Sequence, residues 1–178
     1  LILVEKDQIL AKNLKKKFKK YSSLKIFNED ILKFDLEKQI KGSAIIVGNL
    51  PYNISSQILI KLIKFKFWLP KYKKLILMFQ KEVAEKILAK FNTSNYGRLA
   101  IITAARLKIT NSFEVSPNSF YPIPKVKSTV LVFEPFINEN FKVKNIKNLE
   151  EISHIFFSRK RKMINKAFNK LFKDPTEM

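Results

Sequence analysis

A polar and aromatic stretch follows a short aliphatic run in the first third of the chain. Residues 43–47 read S-A-I-I-V, and residues 48–56 read G-N-L-P-Y-N-I-S-S. Such residue types could activate an exocyclic amino group on an aromatic base, a poor nucleophile because its lone pair is delocalised into the ring. The side-chain carbonyl of Asn49 and the backbone carbonyl of Leu50 can both accept its N–H bonds. That arrangement favours a more tetrahedral nitrogen and directs the lone pair outward.

The next two residues suit the placement of such a base. Pro51 fixes its own backbone and disfavours helical geometry at Leu50, so the Leu50 carbonyl can face the base. Tyr52 can stack on the base, which must leave its helix to be reached. An ordinary strand–turn–helix junction with a proline near the helix start is the alternative. The residues alone leave both interpretations open.

Polar residues follow the first three predicted strands: Glu5, Asp30 and Asn49. In open parallel sheets, ligands bind beyond the carboxyl ends of the strands. One carboxylate there can accept hydrogen bonds from both hydroxyls of a ribose, and a second can accept from the exocyclic amine of an adenine. The pair therefore suits a cofactor that contains a nucleoside, although capping of the following helices is an alternative role for both.

The elements that would position these residues alternate along the chain, which predicts an α/β fold with a mostly parallel sheet. Aliphatic runs predict strands at Leu1–Glu5, Leu24–Asn28, Ser43–Gly48, Lys74–Gln80, Lys108–Val115 and Ser128–Glu134. The last two, joined by a loop, suggest an antiparallel edge pair. Helices are predicted from Asp7 to about Lys20, from Ser55 or Ser56 to about Phe65, over Lys81–Lys90 and from Tyr96 to Arg106. The first helix would bury a stripe formed by Ile9, Leu10, Leu14 and Phe18.

The composition supports a folded chain with a polyanionic partner. Hydrophobic residues make up 46% of the 178 positions, and there is no cysteine and no apolar run of bilayer length. The 35 Lys and Arg against 15 Asp and Glu give a net charge of +20, which favours nucleic acid or the ribosome. A generally lysine-rich proteome is the alternative explanation. We expect a cytoplasmic protein without a membrane partner or a metal site.

The last part of the chain is helical in pattern and more basic. We predict a boundary near Pro135–Asn140, separating residues 1–137 from a helical domain at 138–178. Its basic run reads as a phosphate-contacting surface formed by Arg159, Lys160, Arg161 and Lys162. A solvated helix face is the alternative, and both descriptions can hold together.

Several motifs together carry a resemblance to a known family. They are V-E-K-D at 4–7, N-E-D-I-L at 28–32, G-N-L-P-Y-N-I-S-S at 48–56, F-Q-K-E-V-A at 79–84, Y-G-R-L at 96–99, S-F-Y-P-I-P-K-V-K-S at 119–128 and F-F-S-R-K-R-K-M-I-N at 156–165. In this order and at these intervals, the chain resembles the ribosomal RNA adenine N6-dimethyltransferases of the KsgA type. The resemblance covers nearly the whole chain.

The resemblance implies a Rossmann-like methyltransferase fold with a small helical C-terminal domain, and S-adenosyl-L-methionine as cofactor. Glu5 would bind the cofactor's ribose, and Asp30 with the amide of Ile31 its adenine. Asn49 would lie between the cofactor and the target amine. The catalytic set that the resemblance implies is Asn49, Leu50, Pro51, Tyr52 and Phe120, with Phe120 closing the other face of the flipped adenine.

The implied substrate is a pair of adjacent adenines near the 3′ end of small-subunit (16S) ribosomal RNA, each methylated twice during ribosome biogenesis. The implied partner is therefore the 30S subunit, and a monomer is the simpler oligomeric expectation. Two alternatives remain open. One is an enzyme acting on large-subunit ribosomal RNA; the other is a non-catalytic RNA-binding or ribosome-assembly relative, including a decayed gene product.

The sequence departs from the family pattern at its ends. Family members carry a Gln-Asn-Phe-Leu-like segment and a Glu-x-Gly-x-Gly turn before the motifs seen here, on the central strand of the sheet. Neither is present among these residues, and the helical domain is shorter after Met178. We therefore expect the 178-residue polypeptide alone to form two half-sheets, to bind the cofactor poorly and to be inactive.

Overall fold

The computed structural model describes residues 1–137, 143, 145–157, 168 and 171. The chain forms two compact units, Leu1–Lys41 and Gly42–Met178. Within the described residues, no helix has both the length and the apolar character needed to cross a bilayer. The boundary expected near Pro135–Asn140 stays a prediction.

The first unit is built around one pair of parallel strands. Its elements in chain order are β1 (Ile2–Glu5), α1 (Gln8–Lys17), β2 (Lys25–Asn28) and α2 (Leu36–Gln39). β1 and β2 run parallel in a two-stranded sheet, with Glu5 opposite Asn28 at the carboxyl end. Asp7 caps α1 as predicted, since its Oδ1 accepts the backbone N–H of Leu10 at 2.8 Å.

The apolar stripe predicted for α1 is wrong in part. Ala11 is the buried residue of this helix, and Leu14 and Phe18 are half-buried. Ile9 and Leu10 are exposed, at 72% and 52%. A sheet of two four-residue strands is too narrow to cover the whole apolar arc of a ten-residue helix, so the unit buries only a strip around Ala11.

The second unit contains a four-stranded mixed sheet. Its elements are β3 (Ala44–Asn49), α3 (Ser55–Ile63), β4 (Tyr72–Gln80), α4 (Lys81–Leu88), α5 (Arg98–Ala104), β5 (Leu107–Val115), β6 (Ser128–Pro135) and α6 (Ile146–Phe157). The strand order is β3-β4-β6-β5. β3 pairs with β4 in parallel, whereas β6 is antiparallel to both β4 and β5.

The predicted antiparallel pair of late strands is confirmed, and β5 forms the sheet edge. The expectation of a mostly parallel sheet holds for strand direction, since β3, β4 and β5 run the same way and β6 alone of these four described strands is reversed. The reversal arises because α4 and α5 carry the chain from β4 past one strand position. β6 then returns through a loop and fills that position in the opposite direction.

β4 is the centre of the core. Its residues Tyr72, Leu75, Leu77, Met78 and Phe79 are buried, whereas Lys73 near its start is exposed. The core of this unit includes fully buried side chains from β4, β6, α3 and α5: Tyr72, Leu75, Leu77, Phe79, Leu131, Phe133, Leu59, Ile63 and Ile102. The parallel register places Asn49, the last residue of β3, opposite Met78 of this rigid strand.

A buried arginine completes the end of α3. Arg106 donates hydrogen bonds to the carbonyl oxygens of Ile63, at 2.8 Å, and Phe65, at 3.2 Å. Its guanidinium carbon lies 4.7 Å from the centroid of the Trp68 ring. Burial lowers the pKa of Arg106 from its usual value. The arginine thereby satisfies the last carbonyl of α3 and one carbonyl of the segment that follows it.

One carboxylate of α6 forms ion pairs with two other elements of the unit. Glu150 accepts hydrogen bonds from Lys64 at 2.7 Å and from Arg98 at 3.0 Å, which link α6 to the end of α3 and the start of α5. Burial alone raises the pKa of Glu150, but these two cations outweigh it and the pKa is lowered. Glu150 is therefore ionised at neutral pH and holds both cations.

Candidate active site

The stretch that suggested amine chemistry begins at the carboxyl end of β3. Asn49 is exposed there and follows Gly48, whose missing side chain permits a close approach. A Cβ on Gly48 would lie 2.6 Å from Leu50 Cδ2 and 3.2 Å from Leu77 Cδ2. The glycine thus lets the Leu50 side chain fold back against the strand while the chain leaves the sheet.

Pro51 starts the turn into α3. A short 3₁₀ helix spans Tyr52–Ile54, and the Ile54 N–H donates to the Pro51 carbonyl at 3.1 Å. The buried Ser55 hydroxyl donates to the Tyr52 carbonyl at 3.1 Å. The predicted helix start at Ser55 is confirmed, with one 3₁₀ turn in front of it.

A side-chain hydrogen bond ties this turn to a distant part of the sequence. The Tyr52 hydroxyl lies 2.7 Å from Ser128 Oγ. Ser128 is fully buried at the start of β6, paired with Gln80 on one side and Val115 on the other. The loop at 116–127 ends at this same serine, so the hydrogen bond joins the two segments that carry the predicted catalytic residues.

These two segments line one cavity of about 370 Å³, which we call the amide pocket. Its lining residues are Asn49, Leu50, Pro51, Tyr52, Phe120, Tyr121, Pro122 and Pro124. The volume is at the lower end of the range for small-molecule sites, which suits one small planar group. No lining residue is of a charged type. All five residues predicted as catalytic therefore meet at one place, although their roles stay predictions.

The loop contributes more to the amide pocket than the sequence analysis assigned to it. Phe120 follows a short 3₁₀ helix at Pro117–Ser119 and donates its N–H to the Pro117 carbonyl at 3.1 Å. Tyr121, Pro122 and Pro124 also line the cavity but were not predicted as site residues. Their signal was the same proline-rich run, which identifies a loop but not the direction of each side chain.

In the first unit, Glu5 and Asp30 lie at the carboxyl ends of β1 and β2, at what we call the carboxylate edge. Glu5 Oε1 accepts the backbone N–H of Asp7 at 2.8 Å. The Glu5 backbone carbonyl accepts hydrogen bonds from Asn28 Nδ2 at 3.0 Å and from the Glu29 N–H at 3.1 Å. The end of β1 is therefore fixed to the end of β2.

Asp30 is held by a cation and a backbone amide. Its Oδ2 accepts from Lys6 Nζ at 2.9 Å, and its Oδ1 accepts the N–H of Leu32 at 2.9 Å. The Lys6 hydrogen bond, followed by that of Leu32, holds the pKa of Asp30 below its usual value. Ile31 lies in the turn between these two contacts. The carboxylate is thus ionised and oriented at neutral pH.

Two other expectations concern the RNA-contacting residues and a metal site. The proposed RNA-contacting residues Arg159, Lys160, Arg161 and Lys162 lie outside the described residues. Over the part of the chain that the structure describes, no group of three or more His, Cys, Asp or Glu side chains could hold a metal ion.

Comparison with known proteins now identifies the family. A family model described as ribosomal RNA adenine dimethylase matches residues 1–177. The chain is 46% identical to ribosomal RNA small subunit methyltransferase A of Pelagibacter ubique, over all of this chain and 67% of that protein. The chain belongs to the ribosomal RNA adenine dimethylase family. A second dimethylase-family relative, of the same name, from Buchnera aphidicola is 38% identical over 98% of this chain and 66% of that protein.

Solved structures place the dimethylase-family chain in the same fold. A dimethyladenosine transferase from Plasmodium falciparum matches with a TM-score of 0.77 and 33% identity, over 94% of this chain and 58% of that one. The 23S rRNA methyltransferase ErmE matches with a TM-score of 0.66 over 96% of this chain and 66% of that one. At 22% identity, this match shows a shared fold and nothing about function. The predicted α/β methyltransferase fold is therefore confirmed, and the chain spans about two thirds of the relatives' length.

Proposed function

We propose that the whole protein transfers methyl groups to N6 of two adjacent adenines near the 3′ end of small-subunit ribosomal RNA, with S-adenosyl-L-methionine as methyl donor. The observation that carries the proposal is the amide pocket. It gathers five residues from two segments that are far apart in sequence: Asn49, Leu50, Pro51, Tyr52 and Phe120. Asn49 and Leu50 offer the carbonyl oxygens for the amine, and Tyr52 and Phe120 offer aromatic rings. The names of the most similar relatives support the choice of small-subunit RNA.

The carboxylate edge fits the adenosyl part of this cofactor. A carboxylate offers about four lone-pair sites, and among the described residues one site on Glu5 is occupied, by the Asp7 N–H. The remaining sites can accept from two ribose hydroxyls. Each oxygen of Asp30 accepts one hydrogen bond and keeps capacity for an adenine amine. Glu5 and Asp30, with the amide of Ile31, are therefore the residues that would hold the cofactor's nucleoside.

When bound, S-adenosylmethionine supplies a methyl group on a positively charged sulfur. The protein's own contribution is to orient the amine that receives it. The side-chain oxygen of Asn49 and the carbonyl of Leu50 accept the N–H bonds of the amine, which turns its lone pair away from them. Tyr52 and Phe120 hold the flipped base between their rings. Water can take the proton that the methylated amine releases, so no strong base is required.

The absence of charged residue types from the pocket lining fits this task. The substrate base is neutral and planar, so it is recognised by stacking and by hydrogen bonds rather than by ion pairs. The strongly basic composition and the segment 159–162 would instead bind the phosphates. We further propose that the protein acts as a monomer in the cytoplasm.

The test is methyl transfer by the whole protein with isotope-labelled S-adenosylmethionine. The substrates are unmethylated 30S and 50S subunits, and nuclease digestion followed by mass spectrometry locates the label. We expect two neighbouring N6,N6-dimethyladenosines in the small-subunit RNA and no label in the 50S subunit. Label in the large-subunit RNA would contradict the proposed substrate. No transfer to either subunit, with RNA binding intact, would favour a non-catalytic ribosome-assembly protein.

Asn49→Ala and Asn53→Ala form a matched pair for this assay. Both remove an exposed asparagine amide from the same turn, but Asn53 does not line the amide pocket. We expect only Asn49→Ala to lower the labelling rate strongly. Equal loss in both variants would mean that the turn, rather than the Asn49 amide, is what the reaction requires.

A further inference from the structure

One aromatic side chain that lines the amide pocket is fully exposed. Tyr121 lines the cavity, yet its relative exposure is 101%, whereas the neighbouring Phe120 is half-buried. Within the described part of the chain, the Tyr121 ring has neither a stacked ring nor a hydrogen-bond partner. Leaving a large aromatic side chain in water forgoes the stabilisation that its burial would provide. Packing within the described part of the chain therefore does not explain the exposed Tyr121 ring.

The loop that carries Tyr121 is anchored at both ends. At its start, Ser116 Oγ accepts the N–H of Asn118 at 3.3 Å and a 3₁₀ turn follows. At its end, Ser128 is buried and hydrogen-bonded to Tyr52. Pro122 and Pro124 restrict the backbone between these anchors. The exposed ring is thus presented at the amide pocket by an ordered loop.

The surface around the ring combines apolar and basic groups. Ile123 and Val126 are exposed in the same loop. Lys125 and Lys127 are exposed as well, and residues 116–127 contain no Asp or Glu. Aromatic platforms beside positive charge are how proteins bind single-stranded nucleic acid, because every base offers a π face and every nucleotide a phosphate. The charge of the loop therefore favours RNA as its occupant.

We infer that Tyr121 is a stacking platform for the base adjacent to the one held in the amide pocket. The inference rests on the proposed function, in which two neighbouring adenines are modified. When one of them leaves its stack and enters the pocket, its neighbour loses a stacking partner. The exposed Tyr121 ring replaces that partner, and Lys125 contacts the phosphate backbone beside it. Tyr121 would thus select RNA with an unpaired base next to the target.

The experiment measures binding of the whole protein to two short single-stranded RNAs. One contains two adjacent adenines, and in the other the neighbouring base is replaced by an abasic nucleotide. Tyr121→Leu keeps an apolar side chain but removes the ring, so it should weaken binding to the first RNA by roughly 5- to 150-fold. On the abasic RNA, Tyr121→Leu and the wild type should bind equally. Tyr121→Phe, which keeps the ring, should behave as the wild type on both.

Other outcomes would overturn the inference. One is that Tyr121→Leu loses no affinity for RNA, and another is that it loses affinity equally for both RNAs. A third is that Tyr121→Leu weakens binding to anionic lipid vesicles but not to RNA. Lys125→Gln is the comparison variant. It should weaken binding to both RNAs alike and reduce the slope of the salt dependence by about one.

The same protein preparations separate this inference from the proposed function. Wild-type methyl transfer to 30S subunits decides the proposed function, and the ratio of affinities for the two RNAs decides the role of Tyr121. Normal transfer together with unchanged ratios in Tyr121→Leu would overturn only the stacking platform. Tyr121→Leu should also raise KM for RNA more than it lowers kcat, because the lost contact is to a base that is not reacting.

Discussion

The amide pocket and the carboxylate edge both lie where a parallel strand ends, but they are built in opposite ways. The amide pocket is lined by residues of uncharged types and joins two segments that are far apart in sequence through Tyr52 and Ser128. The carboxylate edge is charged and is held by contacts between β1, β2 and the residues that immediately follow them.

This difference predicts which step of the reaction each region affects. A pocket without ionised groups can orient a neutral amine, so damage to it should appear in the rate. The carboxylates of Glu5 and Asp30, which we propose hold the cofactor's nucleoside, should act on cofactor affinity, and that effect should be lost in acid. The ion pair of Asp30 with the exposed Lys6 should also weaken with salt, because surface pairs are screened.

The largest expected effect is that of Asn49→Ala in the whole protein. Loss of the carbonyl that we propose orients the reacting amine should lower kcat by about 10²- to 10³-fold, by analogy with the removal of one preorganised hydrogen-bonding group. RNA affinity should change little, because the residues proposed to contact the phosphates are others. Steady-state kinetics and filter binding with Asn53→Ala as control measure both. If RNA affinity and kcat fell together, Asn49 would serve RNA binding. The amide pocket and the carboxylate edge would then not differ in the way described.

Asp30→Asn probes the carboxylate edge. The amide can still accept the Leu32 N–H, so the turn is kept, but the charge and the Lys6 pair are lost. Affinity for S-adenosylmethionine should fall by roughly 10- to 100-fold, the range for hydrogen bonds to charged groups. Calorimetric titration gives the affinity. The control is Glu29→Gln, which removes a neighbouring exposed charge and should have little effect.

The pH dependence of that affinity follows from the direction of the Asp30 pKa shift. The pKa is lowered from 3.8, so the carboxylate and its contribution to stability are fully present above that value. The contribution is lost only as the pH falls through the lowered pKa. Asp30 should therefore cause no change in cofactor affinity between neutral and mildly acidic pH. A midpoint near neutrality that disappears in Asp30→Asn would contradict the assignment.

Gly48→Ala tests whether the amide pocket depends on close packing. The added methyl group would meet Leu50 at 2.6 Å and Leu77 at 3.2 Å, so the Leu50 side chain must move. We expect a loss of about 1–3 kcal/mol in unfolding free energy, as for other overpacked sites, and a lower kcat because Leu50 lines the pocket. Thermal unfolding and kinetics measure these effects. Gly42→Ala is the control, since nothing lies within 4 Å of a Cβ there.

The smallest effect concerns the contact between Tyr52 and Ser128. Tyr52→Phe keeps the ring for stacking and removes only the hydroxyl, while Ser128→Ala removes its partner. A double-mutant cycle on unfolding free energy should give a coupling of about 1 kcal/mol, the usual net worth of one hydrogen bond. Coupling near zero would mean that the two segments of the amide pocket are held together by packing alone.

Local patterns predicted most of the elements. The run at Ser43–Gly48 predicted β3, the Asp7 cap predicted the start of α1, and the late strands paired antiparallel as expected. These features depend on a few neighbouring residues, and such information is contained in a single sequence. The meeting of Phe120 with the Asn49 turn was anticipated only through the family resemblance, because spacing along the chain says nothing about which loops meet.

Contacts between distant elements could not be predicted. The burial of Arg106 depends on carbonyls at the end of α3 and on the ring of Trp68, none of which is marked by a local pattern. The ion pairs of Glu150 with Lys64 and Arg98 likewise depend on where α6 packs, which no local pattern gives. The exposure of Ile9 followed from the width of the sheet beneath α1, which the helix periodicity does not contain.

The most direct test of the division of work is the single-turnover rate of methyl transfer as a function of S-adenosylmethionine concentration. Asp30→Asn and Asn49→Ala are compared with the wild type in the whole protein. We expect saturating cofactor to restore Asp30→Asn to nearly the wild-type rate, while Asn49→Ala stays about 10²-fold or more below it at every concentration. Recovery of Asn49→Ala by added cofactor, or a saturated rate in Asp30→Asn that stays equally low, would contradict this division.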